Sequence, residues 1–367
     1  MKEFELALGY DDISLLPNFS EINSRKDVST KTNLSRNIEI EFPLILSPMD
    51  SISTVESCIK MNQIGAAGIL HRFMPIEEQS RKTKEIRDKS GKSFSAIGLN
   101  DYRERINCLI DSGCQLLFLD SANGLSKKVF DFTKWFYLES EYSKKGIDLI
   151  VGNTLSKESV SRLINLGADG VRHLIGPGSA CLTARQTSIY CPSITGLYYG
   201  WKAVRNWSLY NNDWSNKLDK EPTVLADGGI RYPSDLCKAI ASGSNAVIAG
   251  GIFVGCFENS QNIVETNGKK MVKYRGMASR EVVEDYGLTD KTSKNLFVEG
   301  DSYYKPYQNK SVEDVVYEFV NGLRSCLSYL GFKSLNEMRG GLWDNTIQAV
   351  KITSNSMYEG GAHGKSV

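Results

Sequence analysis

The chain has 367 residues, 41% of them apolar, and its 44 Lys and Arg nearly balance its 43 Asp and Glu. That is enough material for one large α/β barrel, and a net charge of +1 supplies no global field to recruit nucleic acid or a membrane surface. Three His, and eight Cys without a Cys-x-x-Cys pair, speak against a multi-His metal site, a zinc knuckle and a disulfide framework.

The N-terminus, MKEFELALGYDD, lacks the basic-then-apolar order of a signal peptide. The longest apolar stretch, Ala246 to Phe257, is broken by glycines and far short of a bilayer span. The expectation is a cytoplasmic protein with reduced thiols and neither a nucleic-acid nor a membrane partner.

Short apolar runs alternate with longer amphipathic stretches, the pattern of repeated βα units. In chain order the predicted strands are Pro43–Leu46, Ala66–Leu70, Phe94–Ile97, Leu116–Leu119, Leu149–Val151, Gly170–Leu174, Thr223–Ala226 and Ala246–Ala249. Helix-like segments such as Glu158–Leu166 and Pro233–Ala241 lie between them. Strands interleaved in this way predict a closed parallel (β/α)8 TIM barrel, read as a single catalytic domain over residues 1–367.

Barrel chemistry sits at the C-terminal ends of the strands. Polar or Gly-rich motifs follow the strands here: SPMDS the first, HRF the second, DSANG the fourth, GN the fifth, IGPGSAC the sixth, DGG the seventh and GG the eighth. A closed barrel would bring all of them to one rim. Three segments depart from the repeat: a Trp/Tyr-rich insertion at 206–220, a long excursion at 276–306 suited to a flap, and a Gly-rich tail at 358–367.

The stretch from Ile175 to Thr183, IGPGSACLT, carries the most chemistry. Gly176 and Gly178 allow close backbone approach, and a turn rich in N–H groups with Ser179 suits a phosphate. Cys181 would then lie beside whatever that phosphate anchors, as a thiolate nucleophile. A tight turn holding a structural Cys is the competing reading. Asp227, ending the seventh strand, could accept both hydroxyls of a ribose, against the alternative of an Asx turn. Gly250 and Gly251 would offer N–H groups to the same phosphate. Tyr274 adds a phenol, and Met277 a thioether able to lie on a flat base.

These motifs, in this order, resemble the IMP dehydrogenase/GMP reductase family along nearly the whole chain. The matching stretches are YDDISLLP from Tyr10, SPMD ending at Asp50, HRFMPIEEQ from His71, DSANG from Asp120, Gly152-Asn153, IGPGSACLT, ADGG ending at Gly229, YRGM from Tyr274, and VEG ending at Gly300. The resemblance implies that Cys181 attacks C2 of a purine and that Thr183 assists the leaving or attacking group. It implies that Ser179, Gly229, Gly250, Gly251 and Tyr274 hold the 5′-phosphate, Asp227 the ribose, and Asp50, Met277 and Glu299 the purine. Asp120, Asn123 and Gly176 would face a nicotinamide cofactor, NAD or NADPH, while Glu281 and Tyr286 complete the catalytic set. A potassium site would draw on Gly176 and Cys181 together with Glu359, Gly360 and Gly361 of a neighbouring subunit in a homotetramer.

The resemblance covers two reactions. Motif similarity ranks IMP dehydrogenase first (IMP, NAD and water to XMP), with GMP reductase as the alternative (GMP and NADPH to IMP and ammonia). The dehydrogenases activate water with an adjacent Arg-Tyr pair on the flap. Here the nearest sequence is Glu284-Asp285-Tyr286, with Asp285 in place of the Arg. One helix, Ile76–Lys89, separates the second and third strands, which leaves no room for the regulatory CBS modules. Leu174, Ala184, Ser188 and Tyr190 also depart from the family's catalytic loop, and the expectation is a re-aimed loop or an altered substrate, an unusual purine among the candidates. An FMN-binding barrel enzyme and a catalytically inactive nucleotide-binding barrel are the remaining readings.

Overall fold

The structure is a computed structural model that describes residues 4–210, 220–260, 263–286 and 297–360. Its centre is a closed barrel of eight parallel strands. They are β1 (Leu44–Leu46), β2 (Ala67–Leu70), β3 (Phe94–Ile97), β4 (Leu116–Asp120), β5 (Asp148–Thr154), β6 (Gly170–His173), β7 (Thr223–Asp227) and β8 (Ala246–Ala249). The (β/α)8 barrel expected from the sequence is therefore present, and each predicted strand is found at its place. The largest change is in β5, which runs three residues past its expected end.

Side chains alternate across each strand. Ile45, Ala67, Ile69, Phe94, Ala96, Leu116, Phe118, Ile150, Leu225, Ala246 and Ile248 form one fully buried cluster inside the barrel. Their sequence neighbours, such as Leu44, Leu117, Val151, Val171, Val224 and Val247, belong to the layer under the helices. Burying a residue of the Leu, Ile or Phe kind is worth about 1.5–3 kcal/mol, so the interior is a packed core that holds the rim rigid. A hairpin, Thr32–Asn33 with Glu39–Ile40, plugs the N-terminal end with Leu34 and Ile40. There the Leu34 carbonyl accepts from Thr223 Oγ1 at 2.9 Å.

A helix follows each strand. The last, Val312–Leu330, shows why: Val312, Val315, Val316, Phe319, Val320, Leu323, Leu327 and Leu330 recur every three or four residues and are buried. Ser311 accepts from the Asp314 N–H to start it, and Gly331, at φ 75°, ends it in the left-handed region. Between β2 and β3 stands the helix Ile76–Ser90. After β6 the helix Ser193–Tyr210 takes in Asn206 to Tyr210, which the sequence assigned to an insertion. Residues 211–219 of that segment lie outside the described residues.

The excursion after β8 is largely regular structure. Strands β9 (Ile263–Thr266), β10 (Lys269–Arg275) and β11 (Ser302–Pro306) form an antiparallel sheet beside the rim. A short helix, Arg280–Asp285, follows β10. Of the expected flap, 287–296 lie outside the described residues, as do 361–367 of the tail.

Candidate active site

The alternation that buries Leu116 and Phe118 inside the barrel also points Asp120 inward, at the C-terminal end of β4. The same rule turns Arg172 inward on β6 and Asp227 on β7. The three meet. Arg172 Nη1 donates to Asp120 Oδ1 at 2.8 Å, and Nη2 donates to Asp227 Oδ2 at 2.7 Å. Arg72 Nε donates to the other Asp120 oxygen at 2.9 Å, and Asn153 Nδ2 to Asp227 Oδ2 at 2.6 Å. Gly152 makes room for this crossing, because a Cβ there would stand 2.3 Å from Arg172 Cβ. Burial alone would raise the Asp120 carboxyl, but the charges of Arg172 and Arg72 outweigh it and hold the group below its ordinary range.

The loop after β6 carries Cys181. Leu174 and Ser188 hold left-handed backbones, with φ of 94° and 62°. The substitutions that the sequence suggested would re-aim the loop thus leave glycine-like conformations at both positions. A strained φ costs about 1–2 kcal/mol. Leu174 offsets this by burying its side chain against Gly196, where a Cβ would stand 2.5 Å from Leu174 Cδ2.

On either side of Cys181 the loop is stitched to the segment leading into β11. Leu182 N donates to Glu299 O at 2.8 Å, and Asp301 N to Ala180 O at 2.9 Å. This brings together side chains far apart in sequence: Cys181 Sγ lies 3.3 Å from Thr183 Oγ1, which donates to Glu299 Oε2 at 2.7 Å. Thiol, hydroxyl and carboxylate form one continuous chain.

Beside it is a corner suited to a phosphate. Ser179 Oγ lies 3.2 Å from the point a Cβ on Gly251 would occupy, and Tyr274 Oη lies 3.1 Å from that on Gly250. A polar tip thus stands close against each glycine, with Met49 Sδ equally near Gly250. Burial pushes the Tyr274 phenol up to about 12, so it stays a neutral donor. Gly229, at φ 77°, packs against Pro177 at the edge of the same corner.

A second cluster borders the cavity without lining it. Arg275 Nε donates to Asp50 Oδ2 at 3.0 Å, Arg275 Nη1 to Asp285 Oδ2 at 2.5 Å, and Tyr286 Oη to Asp50 Oδ2 at 3.2 Å. The Asp50 N–H points at Met277 Sδ, 3.4 Å away. Burial, and then the charge of Asp50, push the Tyr286 phenol up to about 12.

One cavity of about 1360 Å3 is lined by twelve of the sequence-predicted residues: Asp120, Gly176, Ser179, Cys181, Thr183, Asp227, Gly229, Gly250, Gly251, Tyr274, Met277 and Glu299. Its volume exceeds the ~300–1000 Å3 of an ordinary small-ligand pocket, which leaves room for two ligands side by side. Asp50 and Tyr286 do not line it, and Tyr286 is exposed. Glu281 is turned away and pairs with Lys273 at 2.8 Å. Asn123 is turned away too, its Oδ1 accepting from Leu125 N at 2.9 Å in a local turn. Glu359 ends the helix Ser354–Glu359, Gly360 follows it, and Gly361 lies outside the described residues.

Sequence reasoning missed Arg172 and Lys305, which also line the cavity. An arginine in the middle of a buried strand was the available signal for the first, since a buried cation demands carboxylate partners. Among the described residues no group of three or more His, Cys, Asp and Glu could hold a metal ion, and no helix is long and apolar enough to cross a membrane.

The family model described as "IMP dehydrogenase / GMP reductase domain" matches residues 7–363. The chain is 31% identical over 411 residues to an inosine-5′-monophosphate dehydrogenase of Cryptosporidium parvum, covering 99% of this chain and 96% of that protein. It is 28% identical to the inosine-5′-monophosphate dehydrogenase of Borreliella burgdorferi, with 97% and 96% covered. It is 30% identical over 331 residues to a GMP reductase of Streptococcus agalactiae, with 90% and 92% covered.

Proposed function

The chain belongs to the IMP dehydrogenase/GMP reductase family of oxidoreductases, and from that premise we propose that it works at C2 of a purine nucleoside 5′-monophosphate, with Cys181 as nucleophile. The observation that carries this reading is the Cys181–Thr183–Glu299 chain, set in the wall of the cavity that also holds Asp227 and the phosphate corner. Ser179, Gly250, Gly251 and Tyr274 anchor the phosphate, and Asp227, fixed by Arg172 and Asn153, receives the ribose hydroxyls. The base is thereby delivered to the thiolate, which adds to C2. The volume beside Asp120 fits a nicotinamide, which supplies or accepts the hydride at C2 when bound.

Of the two directions, the geometry favours reduction of GMP to IMP with NADPH. In that reaction the 2-amino group leaves as ammonia, hydride reaches C2, and the C–S bond breaks. The departing amine needs a proton: as the thiolate forms, its proton passes through the Thr183 hydroxyl to Glu299, and the protonated Glu299 returns it by the same hydroxyl to the amine. Oxidation of IMP needs a base for water instead. Asp285 stands where the family's Arg-Tyr pair has its Arg, and it is engaged by Arg275 at 2.5 Å. Oxidation with NAD is the second reading, supported by the match to a dehydrogenase over 99% of the chain.

A cytoplasmic homotetramer binding potassium at Gly176, Cys181 and the neighbouring tail belongs to the same proposal. The eight unpaired cysteines suit a reducing compartment. Beside that loop the Leu174 carbonyl accepts from Asn153 Nδ2 at 3.0 Å.

The test is a pair of assays on the wild type and Cys181→Ala, one with GMP and NADPH and one with IMP and NAD, followed by nicotinamide absorbance. Turnover with GMP and NADPH, absent in Cys181→Ala, is expected. Turnover with IMP and NAD alone would install the second reading. If neither pair turns over and 6-chloropurine 5′-ribotide leaves Cys181 unmodified by mass spectrometry, both readings fall.

A further inference from the structure

We propose that Lys305 is a specificity-determining residue of this site, whose ammonium meets the 5′-phosphate and sets the preference for nucleotide over nucleoside. The inference rests on the reading of the cavity as a purine-nucleotide site. It starts from register. In the antiparallel pair of β10 and β11, Tyr303 stands opposite Tyr274, and Lys305 stands opposite Val272. Residues directly opposite share a face of the sheet, and on β10 that face is the buried one. Lys305 is therefore carried to the inner side of the ribbon, into the phosphate corner.

The contacts agree. Lys305 Nζ donates to the Gly251 carbonyl at 2.9 Å and lies 5.9 Å from the centre of the Tyr274 ring. A Cβ on Gly251 would stand 3.6 Å from that nitrogen and 3.2 Å from Ser179 Oγ. Two polar tips thus converge on a point kept open by a missing side chain. An ammonium has three donors, and the Gly251 carbonyl takes one of them.

Charge makes the case specific. Four cationic side chains line the cavity: Arg172, Arg231, Lys305 and Lys310. Arg172 is paired with Asp120 and Asp227, Arg231 with Asp11 and Asp235, and Lys310 with Glu318. Among the described residues, Lys305 has no carboxylate partner. Half-buried, its charged form is disfavoured by desolvation, and an incoming phosphate dianion supplies the missing counter-charge. A neutral nucleoside does not.

The experiment compares binding of GMP with guanosine, and IMP with inosine, by calorimetry on the full chain as wild type, Lys305→Met and Lys305→Arg, with thermal melts as a check on folding. Loss of one charge-assisted contact predicts about 10- to 100-fold weaker nucleotide binding in Lys305→Met, nucleoside binding within about twofold of wild type, and substantial rescue by Lys305→Arg. Equal losses for nucleotide and nucleoside would assign Lys305 a purely structural role and overturn the inference, as would undiminished nucleotide binding by Lys305→Met. If the wild type binds no nucleotide at all, the reading of the cavity falls, and this inference with it.

Discussion

Arg172 and Asp227 form the ion pair that organises the barrel mouth: Nη2 donates at 2.7 Å and Nε at 3.2 Å to the same carboxylate oxygen. The remaining guanidinium nitrogen holds Asp120 at 2.8 Å. One side chain therefore sets the distance between the carboxylate assigned to the substrate ribose and the one assigned to the cofactor. The two carboxylates are held by a single planar group whose own rotamer is locked from both sides.

Replacing Arg172 by Met is expected to cost both stability and binding. The side chains of Arg172 and Asp227 are 7% and 13% exposed, and removing one partner of a buried pair strands the other charge at a cost of about 3–5 kcal/mol. Arg172→Met should unfold at markedly lower urea, and Arg172→Met with Asp227→Asn should recover part of that loss. Arg172→Lys keeps the charge but not the fork, so it should lie between wild type and Met. If Arg172→Met unfolds at the wild-type midpoint, the pair is not structurally important.

Much of the fold was legible because the strands are buried on both faces and read as short apolar runs between turns. The rim was legible only where a loop motif carried the chemistry, as in IGPGSAC and DGG. Arg172 was not, because its partners stand 52 and 55 residues away and only barrel closure brings them within reach. Lys305 escaped for a different reason: it lies on a strand of a segment that read as a loop, so the period of two that turns Tyr303 and Lys305 inward went unnoticed. Asn123 was read toward the cofactor, but its side chain bonds its own turn, the usual competitor for Asn and Asp.

The Thr183–Glu299 hydrogen bond of 2.7 Å predicts a separation of the two half-reactions. Neither residue is the nucleophile, so Thr183→Val and Glu299→Gln should still be alkylated at Cys181 by 6-chloropurine 5′-ribotide. Turnover should fall by about 10²- to 10⁴-fold, the range for loss of a positioned proton donor. Mass spectrometry reads the first quantity, and nicotinamide absorbance under saturating substrate reads the second. Alkylation lost together with turnover would make the dyad indispensable to adduct formation as well.

Two buried histidines predict acid lability. His173 is closed between Thr154 Oγ1 at 2.8 Å and the Gly196 carbonyl at 2.7 Å, so Nε2 carries a proton and donates it to the carbonyl. Desolvation by burial pushes both His71 and His173 down to about 4, from an ordinary value of about 6.5. A depressed histidine takes up its proton in the unfolded chain first. Its stabilising contribution is therefore complete above about pH 6.5 and lost as the pH falls toward 4. Asp169, raised to about 7 by burial and then by Asp148, has the opposite sign, gaining stability as the pH falls through that window. Two groups against one leave a net loss of about 1.4 kcal/mol per pH unit between pH 6.5 and 4.5. Urea unfolding midpoints measured across that window should fall accordingly in the wild type, stay nearly level in His173→Gln, and fall more steeply in Asp169→Asn. A wild-type midpoint that stays level on acidification would mean that one of the two histidines is not depressed in the folded protein, and one that rises would mean that neither is.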